Sequence, residues 1–179
     1  MRVPDFDAQS DSFEELAMPL FDQLFNFACW LTMNREEAED LVQETYAKAL
    51  KGFPSFQLGT NFRAWIYRIL RNTFLTSRTG LRATMTVSLD AEEEKSDLAV
   101  EDTTPETILL ERSCHQRMQT AIEELPLRFR EIILLCDVEE MSYQEIAETL
   151  SIPAGTVMSR LSRARAELRR RLQDQVQTG

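Results

Sequence analysis

Residues with the chemistry of nucleic-acid contact are concentrated near the carboxyl end of the chain. Residues 153–172 hold six arginines against one acid, Glu167, whereas an exposed helix ordinarily mixes both signs. Arginine reads guanine edges through a forked pair of hydrogen bonds, and short hydroxyl side chains contact bases or phosphates. The candidate contacts on this segment are Thr156, Ser159, Arg160 and Arg163.

Two apolar patterns on either side of residues 151–153 predict the helix-turn-helix that these side chains need. Ser142 and Glu145 form a capping-box pattern at the start of the first helix. The residue before Pro153 is pushed out of the α region, so the chain turns there. The predicted buried positions are Ile146, Ala147 and Leu150 in the first helix and Val157, Leu161, Ala164 and Leu168 in the second.

A second candidate surface lies on a basic and aromatic helix that begins near Asn61. Its predicted apolar side consists of Phe62, Trp65, Ile66, Ile69 and Thr73. Its other side carries Arg63, Tyr67 and Arg71, with Arg68, Asn72 and Arg78 nearby. Such a strip tracks a phosphate backbone and stacks unpaired bases, although a salt-bridged surface is an equal alternative. The polar loop before it contains Ser55 and Phe56 and is placed to pinch a base.

The remaining amino-terminal half has repeated 3.6-residue periodicity and predicts a helical bundle, which makes the chain all-α. Asn34 and Glu37 predict a helix start. The predicted buried stripe of that helix is Ala38, Leu41, Val42, Thr45 and Ala49. Asp40, Gln43 and Glu44 fall on another side, where polar residues are usually only solvated.

Charge is distributed unevenly along the chain, with a basic carboxyl-terminal segment and an acidic remainder. The net charge is −10, yet residues 142–179 carry six basic and four acidic side chains. The first 141 residues therefore hold a net −12, which opposes DNA binding by charge alone and indicates that something else supplies affinity. An acidic stretch without apolar periodicity, residues 88–105, predicts a flexible linker between two small helical domains.

Several classes of function are disfavoured by the residues that the chain lacks. Three widely separated cysteines and a single histidine make a metal site very improbable, and Cys114 and His115 are helical neighbours that point apart. Glycine is scarce, so a phosphate-binding glycine loop is not expected. We expect no active site and no cofactor. The absence of a long apolar span and of a leading signal predicts a soluble cytoplasmic protein.

The motifs together resemble one family. The segments at residues 40–44, 61–72, 142–147 and 155–161 closely resemble the extracytoplasmic-function sigma factors of bacteria. The resemblance implies a transcription initiation factor that binds core RNA polymerase, acts in stress response and is held by an anti-sigma factor. It implies predicted domains at residues 13–82 and 105–174, a linker at 83–104, and tails at 1–12 and 175–179.

The resemblance also assigns roles to residues. It implies that Asp40, Gln43 and Glu44 dock on the clamp helices of the largest polymerase subunit, while the second domain binds the flap of the second-largest. The residues implied for the minus-10 element of promoter DNA are Ser55, Phe56, Asn61, Arg63, Tyr67, Arg71 and Asn72. The residues implied for the minus-35 element are Thr156, Ser159, Arg160, Arg163 and Arg165. Met158 departs from the family, which often has Lys or Arg there.

Two other classes stay open on the residues alone. A stand-alone helix-turn-helix regulator would bind operator DNA without polymerase. An adaptor that sequesters another factor would need neither basic helix.

Overall fold

Helices account for the regular structure of the computed structural model, which describes residues 6–84 and 105–177, with side chains described for 12–80 and 113–175. No strand occurs within those residues, in agreement with the all-α prediction. The α-helices are α1 (Phe6–Ala17), α2 (Phe21–Thr32), α3 (Arg35–Gly52), α4 (Phe62–Thr84), α5 (Pro105–Glu123), α6 (Leu127–Ile133), α7 (Tyr143–Leu150) and α8 (Ala154–Gln177). Residues 85–104 of the predicted linker lie outside the described residues.

Backbone contacts divide the described chain into two units. The first contains α1 to α4 together with residues 144–151, which form most of α7. The second contains α5, α6 and α8. Helix α1 begins at Phe6, inside the segment predicted as a tail, and α8 continues to Gln177.

In the first unit, α2, α3 and α4 pack against one another around an aromatic and aliphatic core. Pro19 lies in a short 3-10 turn between α1 and α2, as its missing amide proton favours. The Asn34 side chain accepts a hydrogen bond of 3.1 Å from the Glu37 amide and caps α3 as predicted. The predicted stripe of α3 is confirmed, since Ala38, Leu41, Val42, Thr45 and Ala49 are all buried.

In the second unit, α8 packs against α5 and α6. The Arg130 guanidinium of α6 donates to the carbonyls of Ile122 and Leu125, both at 3.2 Å, and to that of Glu123. It thereby binds carbonyls in the last turn of α5 and in the turn that follows it, where helical hydrogen bonding ends. A π-helical turn, Leu134–Val138, continues α6, and its end is marked by the Glu139 amide donating to the Leu134 carbonyl at 2.8 Å.

The break between α7 and α8 is local in origin. Ser151 has a φ of 55°, a left-handed conformation that ends α7. The carbonyl of Pro153 then accepts from the amides of Thr156 and Val157, at 3.0 and 3.1 Å, in the first turn of α8. Ile146, Ala147 and Leu150 are buried in α7, as are Val157, Leu161 and Ala164 in α8, whereas Leu168 is half-buried. The predicted helix-turn-helix segment is therefore confirmed as two helices with a turn.

Candidate nucleic-acid interface

The outer face of α8 presents the predicted duplex-reading residues. Ser159 and Arg163 are exposed and Thr156 is half-exposed. The Ser159 hydroxyl donates to the Thr156 carbonyl at 3.2 Å, which leaves its exposed oxygen able to accept a hydrogen bond. Met158, where the family often has a cation, is 57% exposed on the same helix.

Two cations of this face are held by carboxylates. Arg160 lies 3.9 Å from the carboxylate of Glu131, and the two side chains are 24% and 2% exposed. Arg165 pairs with Asp137 at 2.5 Å, and this hydrogen bond raises the pKa of the Arg165 guanidinium. Arg163 differs, because it has no ion pair among the residues that the structure describes. Of the three predicted arginines, Arg163 is therefore the one positioned to contact a ligand without first leaving a carboxylate.

The arginines at the end of α8 are also partly neutralised. Arg170 pairs with Glu167 at 2.7 Å and with Asp174 at 2.8 Å. Arg171 pairs with Glu167 at 2.9 Å and with Glu124 at 3.2 Å. These hydrogen bonds, that of Arg170 foremost, lower the pKa of Glu167 to about 2. The six arginines counted in the sequence thus overstate the positive charge that α8 offers to a ligand.

The loop before α4 is anchored by aromatic rings. Phe53 is buried, and its ring stacks on that of Phe56 with centroids 5.9 Å apart. Phe56 also meets Trp65 at 4.9 Å and Phe62 at 5.4 Å. The predicted contact Phe56 is half-buried in this cluster, so its first role is to fix the loop on α4.

The loop and the first turns of α4 line a concave pocket. Asn61 caps α4 by accepting from the Ala64 amide at 3.0 Å. The hydroxyls of Ser55 and Thr60 donate to the carbonyls of Gly52 and Gln57, both at 2.7 Å, which leaves their oxygens able to accept. From this stretch of chain the lining residues are Ser55, Phe56, Gln57, Thr60, Asn61, Ala64, Trp65 and Arg68. An aromatic wall, polar acceptors and a cation are the groups that hold an unstacked base.

The predicted exposure of Tyr67 is wrong. Tyr67 is 0% exposed and packs against Phe27 with ring centroids 5.3 Å apart. The reason is that α4 contacts both α2 and α3, so it buries a wider face than a single stripe, including Leu70 and Phe74. Tyr67 is a core residue and has no surface on which a base could stack.

The other predicted positions of α4 lie nearer the surface. Asn72 is exposed, and Arg63 and Arg71 are half-exposed. The Arg63 guanidinium lies over the Tyr67 ring at 5.8 Å and reaches Gln23 at 3.5 Å. Arg63 is thus supported from beneath by the buried tyrosine.

Two residues of the pocket are not among those predicted to contact DNA. Helical spacing predicts Trp65 in the core and Arg68 only near the basic strip, whereas Trp65 is half-buried, Arg68 is exposed, and both line the pocket. The signal that could have found them is Phe56, an aromatic residue in a polar loop that needs an aromatic partner at the start of the next helix.

The polar face of α3 is exposed as a unit. Asp40, Gln43 and Glu44 are all exposed, and their spacing places them on one side of the helix, opposite the buried stripe. Glu44 pairs with Lys48 at 2.7 Å along the same helix. This face is available to a partner surface.

No helix in the described part of the chain is both long and apolar enough to cross a membrane.

The architecture and its surfaces define the class: an all-α protein whose second half carries a helix-turn-helix segment. Family profiles match both halves in chain order. The Sigma-70 region 2 profile matches residues 16–84, and the Sigma-70, region 4 profile matches residues 115–168.

Individual relatives agree with these profiles. The chain is 36% identical over 170 residues to the ECF RNA polymerase sigma factor SigE of Mycolicibacterium smegmatis, covering 92% of this chain and 65% of that protein. It is 31% identical over 171 residues to SigW of Bacillus subtilis, covering 92% and 90%. The chain belongs to the extracytoplasmic-function RNA polymerase sigma factors, as the sequence predicted. These relatives favour a transcription initiation factor over the stand-alone regulator.

Solved structures give the same result. The sigma factor RpoE of Bartonella quintana, solved in complex with the anti-sigma factor NepR, is similar with a TM-score of 0.75 and 29% identity. The match covers 90% of this chain and 97% of that one. CnrH, solved with the cytosolic domain of CnrY, has a TM-score of 0.67 at 23% identity and supports the fold.

Proposed function

We propose that this chain binds bacterial core RNA polymerase, directs it to promoter DNA and opens that DNA. The observation that carries the proposal is that one chain matches both sigma regions, in order, and is similar to SigW over 92% of its length. The distribution of charge supports the proposal too. The first 141 residues are acidic and residues 142–179 are only weakly cationic, so the chain needs a second protein to supply affinity for DNA.

The outer face of α8 is proposed to read the minus-35 element as a duplex. Arg163 is the leading base or phosphate contact, with Thr156 and Ser159 beside it on the helix. Arg160 and Arg165 contact DNA only in exchange for Glu131 and Asp137, so each gains less from a phosphate than a solvated arginine would.

The pocket at the start of α4 is proposed to hold an unstacked base of the minus-10 element. Ser55 and Asn61 supply polar edges, Phe56 with Trp65 an aromatic wall, and Arg68 a phosphate contact. Arg63, Arg71 and Asn72 continue the strand-binding surface along α4. The burial of Tyr67 removes it from this set.

The exposed face of α3 is proposed as the main contact with polymerase. Asp40, Gln43 and Glu44 would meet the clamp helices of the largest subunit, and the unit around α8 would meet the flap of the second-largest. We further propose domains at residues 13–82 and 105–174, a connector at 83–104 and short tails at 1–12 and 175–179. An anti-sigma factor of the kind that holds RpoE of Bartonella quintana is proposed as the inhibitor, with both proteins in the cytoplasm.

Reconstituted transcription tests this function. Purified chain added to core polymerase is expected to yield promoter-specific run-off transcripts from a random promoter library, whereas the chain alone shifts the selected promoters poorly. Sequencing of those transcripts defines both elements. Tight sequence-specific binding by the chain alone, with no effect of core, would establish the stand-alone regulator instead. Activity that survives loss of Arg160 and Arg163 together would favour the adaptor.

A further inference from the structure

Leu58 is an apolar side chain presented to solvent at the tip of the pocket loop. It is 71% exposed, the largest fraction among the exposed large apolar side chains of the described residues. Burying such a side chain in a ligand removes apolar surface from water and is favourable. Among the described residues, the first unit does not bury Leu58 in this way.

The turn that carries Leu58 is closed by two hydrogen bonds to one carbonyl. The Thr60 amide donates to the Gln57 carbonyl at 3.1 Å, and the Thr60 hydroxyl donates to the same oxygen at 2.7 Å. Gly59 has a φ of 93°, the value that the third position of a type II β-turn requires. Leu58 is therefore the second residue of a doubly tied turn, and its backbone needs little reordering on binding.

The position of Leu58 relative to the pocket suggests its ligand. The residues at both ends of the turn, Gln57 and Thr60, line the pocket, whereas Leu58 does not. The aromatic contacts of Phe56 with Trp65 and Phe62 fix the base of the loop. A strand that placed one base in the pocket would bring the neighbouring base step to the tip of the turn.

We propose that Leu58 is a wedge that enters the base step beside the unstacked base and keeps the promoter duplex from closing. Extruding a base leaves a gap in the stack, and apolar side chains commonly fill such gaps and separate the flanking bases. The inference rests on the proposed function, since it deepens the role of the same pocket. Leu58 thereby contributes to strand separation, while the pocket residues contribute to base recognition.

The test compares duplex and pre-opened templates. Full-length Leu58→Ser with core polymerase is expected to give about tenfold less run-off transcript from a duplex promoter, with a matching loss of permanganate-reactive thymines at the minus-10 element. On the same promoter with mismatched, pre-opened minus-10 bases, it should equal the unsubstituted chain within about twofold. Leu58→Met keeps an apolar wedge of similar volume and should retain duplex activity.

Met18→Ser is the matched control, because Met18 is an exposed apolar side chain of the same unit, 59% exposed. It should leave both templates unaffected. Equal activity of Leu58→Ser and the unsubstituted chain on the duplex would overturn the wedge, and so would an equal loss on both templates, which would indicate a polymerase contact. If the unsubstituted chain made no promoter-specific transcript on either template, the proposed function would be wrong. The wedge, which rests on that function, would then be wrong too.

Discussion

At the scale of single residues, the arginines of α8 differ in what surrounds them. Arg163 is exposed without an ion pair in the described residues, whereas Arg160 lies against the buried carboxylate of Glu131. Arg170 is exposed but paired with Glu167 and Asp174. Replacing each of these arginines by alanine is therefore expected to have a different effect on DNA affinity and on the free energy of unfolding.

Arg163→Ala is expected to weaken promoter binding by the reconstituted polymerase by about 1 to 3 kcal/mol, because it removes a cation that is free to contact DNA. The measurement is the apparent affinity for a duplex promoter, read from run-off transcription across a DNA titration. Arg170→Ala is the control, since its cation already has two carboxylate partners. Equal losses in the two variants would show that bulk charge, and not position, governs α8.

Arg160→Ala is expected to lower the free energy of unfolding as well as DNA binding, because it leaves Glu131, 2% exposed, without that cation. We expect about 1 to 2 kcal/mol, less than the roughly 3 to 5 kcal/mol of a close buried pair, because the two groups are 3.9 Å apart. Urea unfolding measures it. Arg163→Ala should stay within about 0.5 kcal/mol of the unsubstituted chain, and a similar loss in both variants would contradict the structural role of Arg160.

At the scale of elements, a tyrosine ties α3 to the end of α1. The Tyr46 hydroxyl donates to the Ala17 carbonyl at 2.7 Å, where α1 gives way to the turn containing Pro19. Burial, with a smaller effect of Asp22, raises the pKa of Tyr46 to about 12. Folding thus favours the neutral phenol, which keeps its proton for this hydrogen bond.

Tyr46 should make alkaline stability depend on pH. Because its pKa in the folded chain is raised, its contribution is complete below the ordinary tyrosine pKa of about 10 and is lost as the pH rises through about 12. Tyr46→Phe is expected to cost about 1 kcal/mol at neutral pH through the lost hydrogen bond. Denaturant unfolding between pH 7 and 12 should show the two chains converging, and a constant difference would refute the linkage.

At the scale of the whole molecule, net positive charge is confined to the carboxyl-terminal segment and net negative charge lies in the rest of the chain. Residues 142–179 carry a net +2 while the first 141 residues carry −12. Ion pairs within α8 reduce its available positive charge further. Under the proposed function, affinity for DNA is expected to come mainly from the polymerase, and the chain is expected to contribute the choice of site.

The chain alone is therefore expected to bind duplex DNA only with the affinity of non-specific binding, a Kd of about 10⁻⁴ to 10⁻⁶ M at physiological salt. Fluorescence anisotropy with promoter and scrambled duplexes measures this. With core polymerase present, promoter and scrambled duplexes should separate in affinity, and Arg163→Ala should reduce the salt slope by about one. Nanomolar promoter binding without polymerase would contradict this division of roles.

The sequence alone was sufficient to predict the features that depend on neighbouring residues. The buried stripe of α3, the cap at Asn34, the turn before Pro153 and the buried face of α8 all follow from spacing within one helix or one turn. The structure confirms the first three, and it confirms the face of α8 at three of its four positions, Leu168 being half-buried. The family followed from several such segments in order. These features need no knowledge of what each helix packs against.

Only the tertiary structure decided which surface residues are available. Tyr67 is buried because α4 packs on two helices, and the width of a buried face is set by its neighbours. Arg165 is held by Asp137, 28 positions away along the chain, and Trp65 lines a pocket only because the loop before α4 folds back onto the first turns of that helix. Helical periodicity acts over a few residues, whereas ion pairs and pockets depend on which distant segments meet in space.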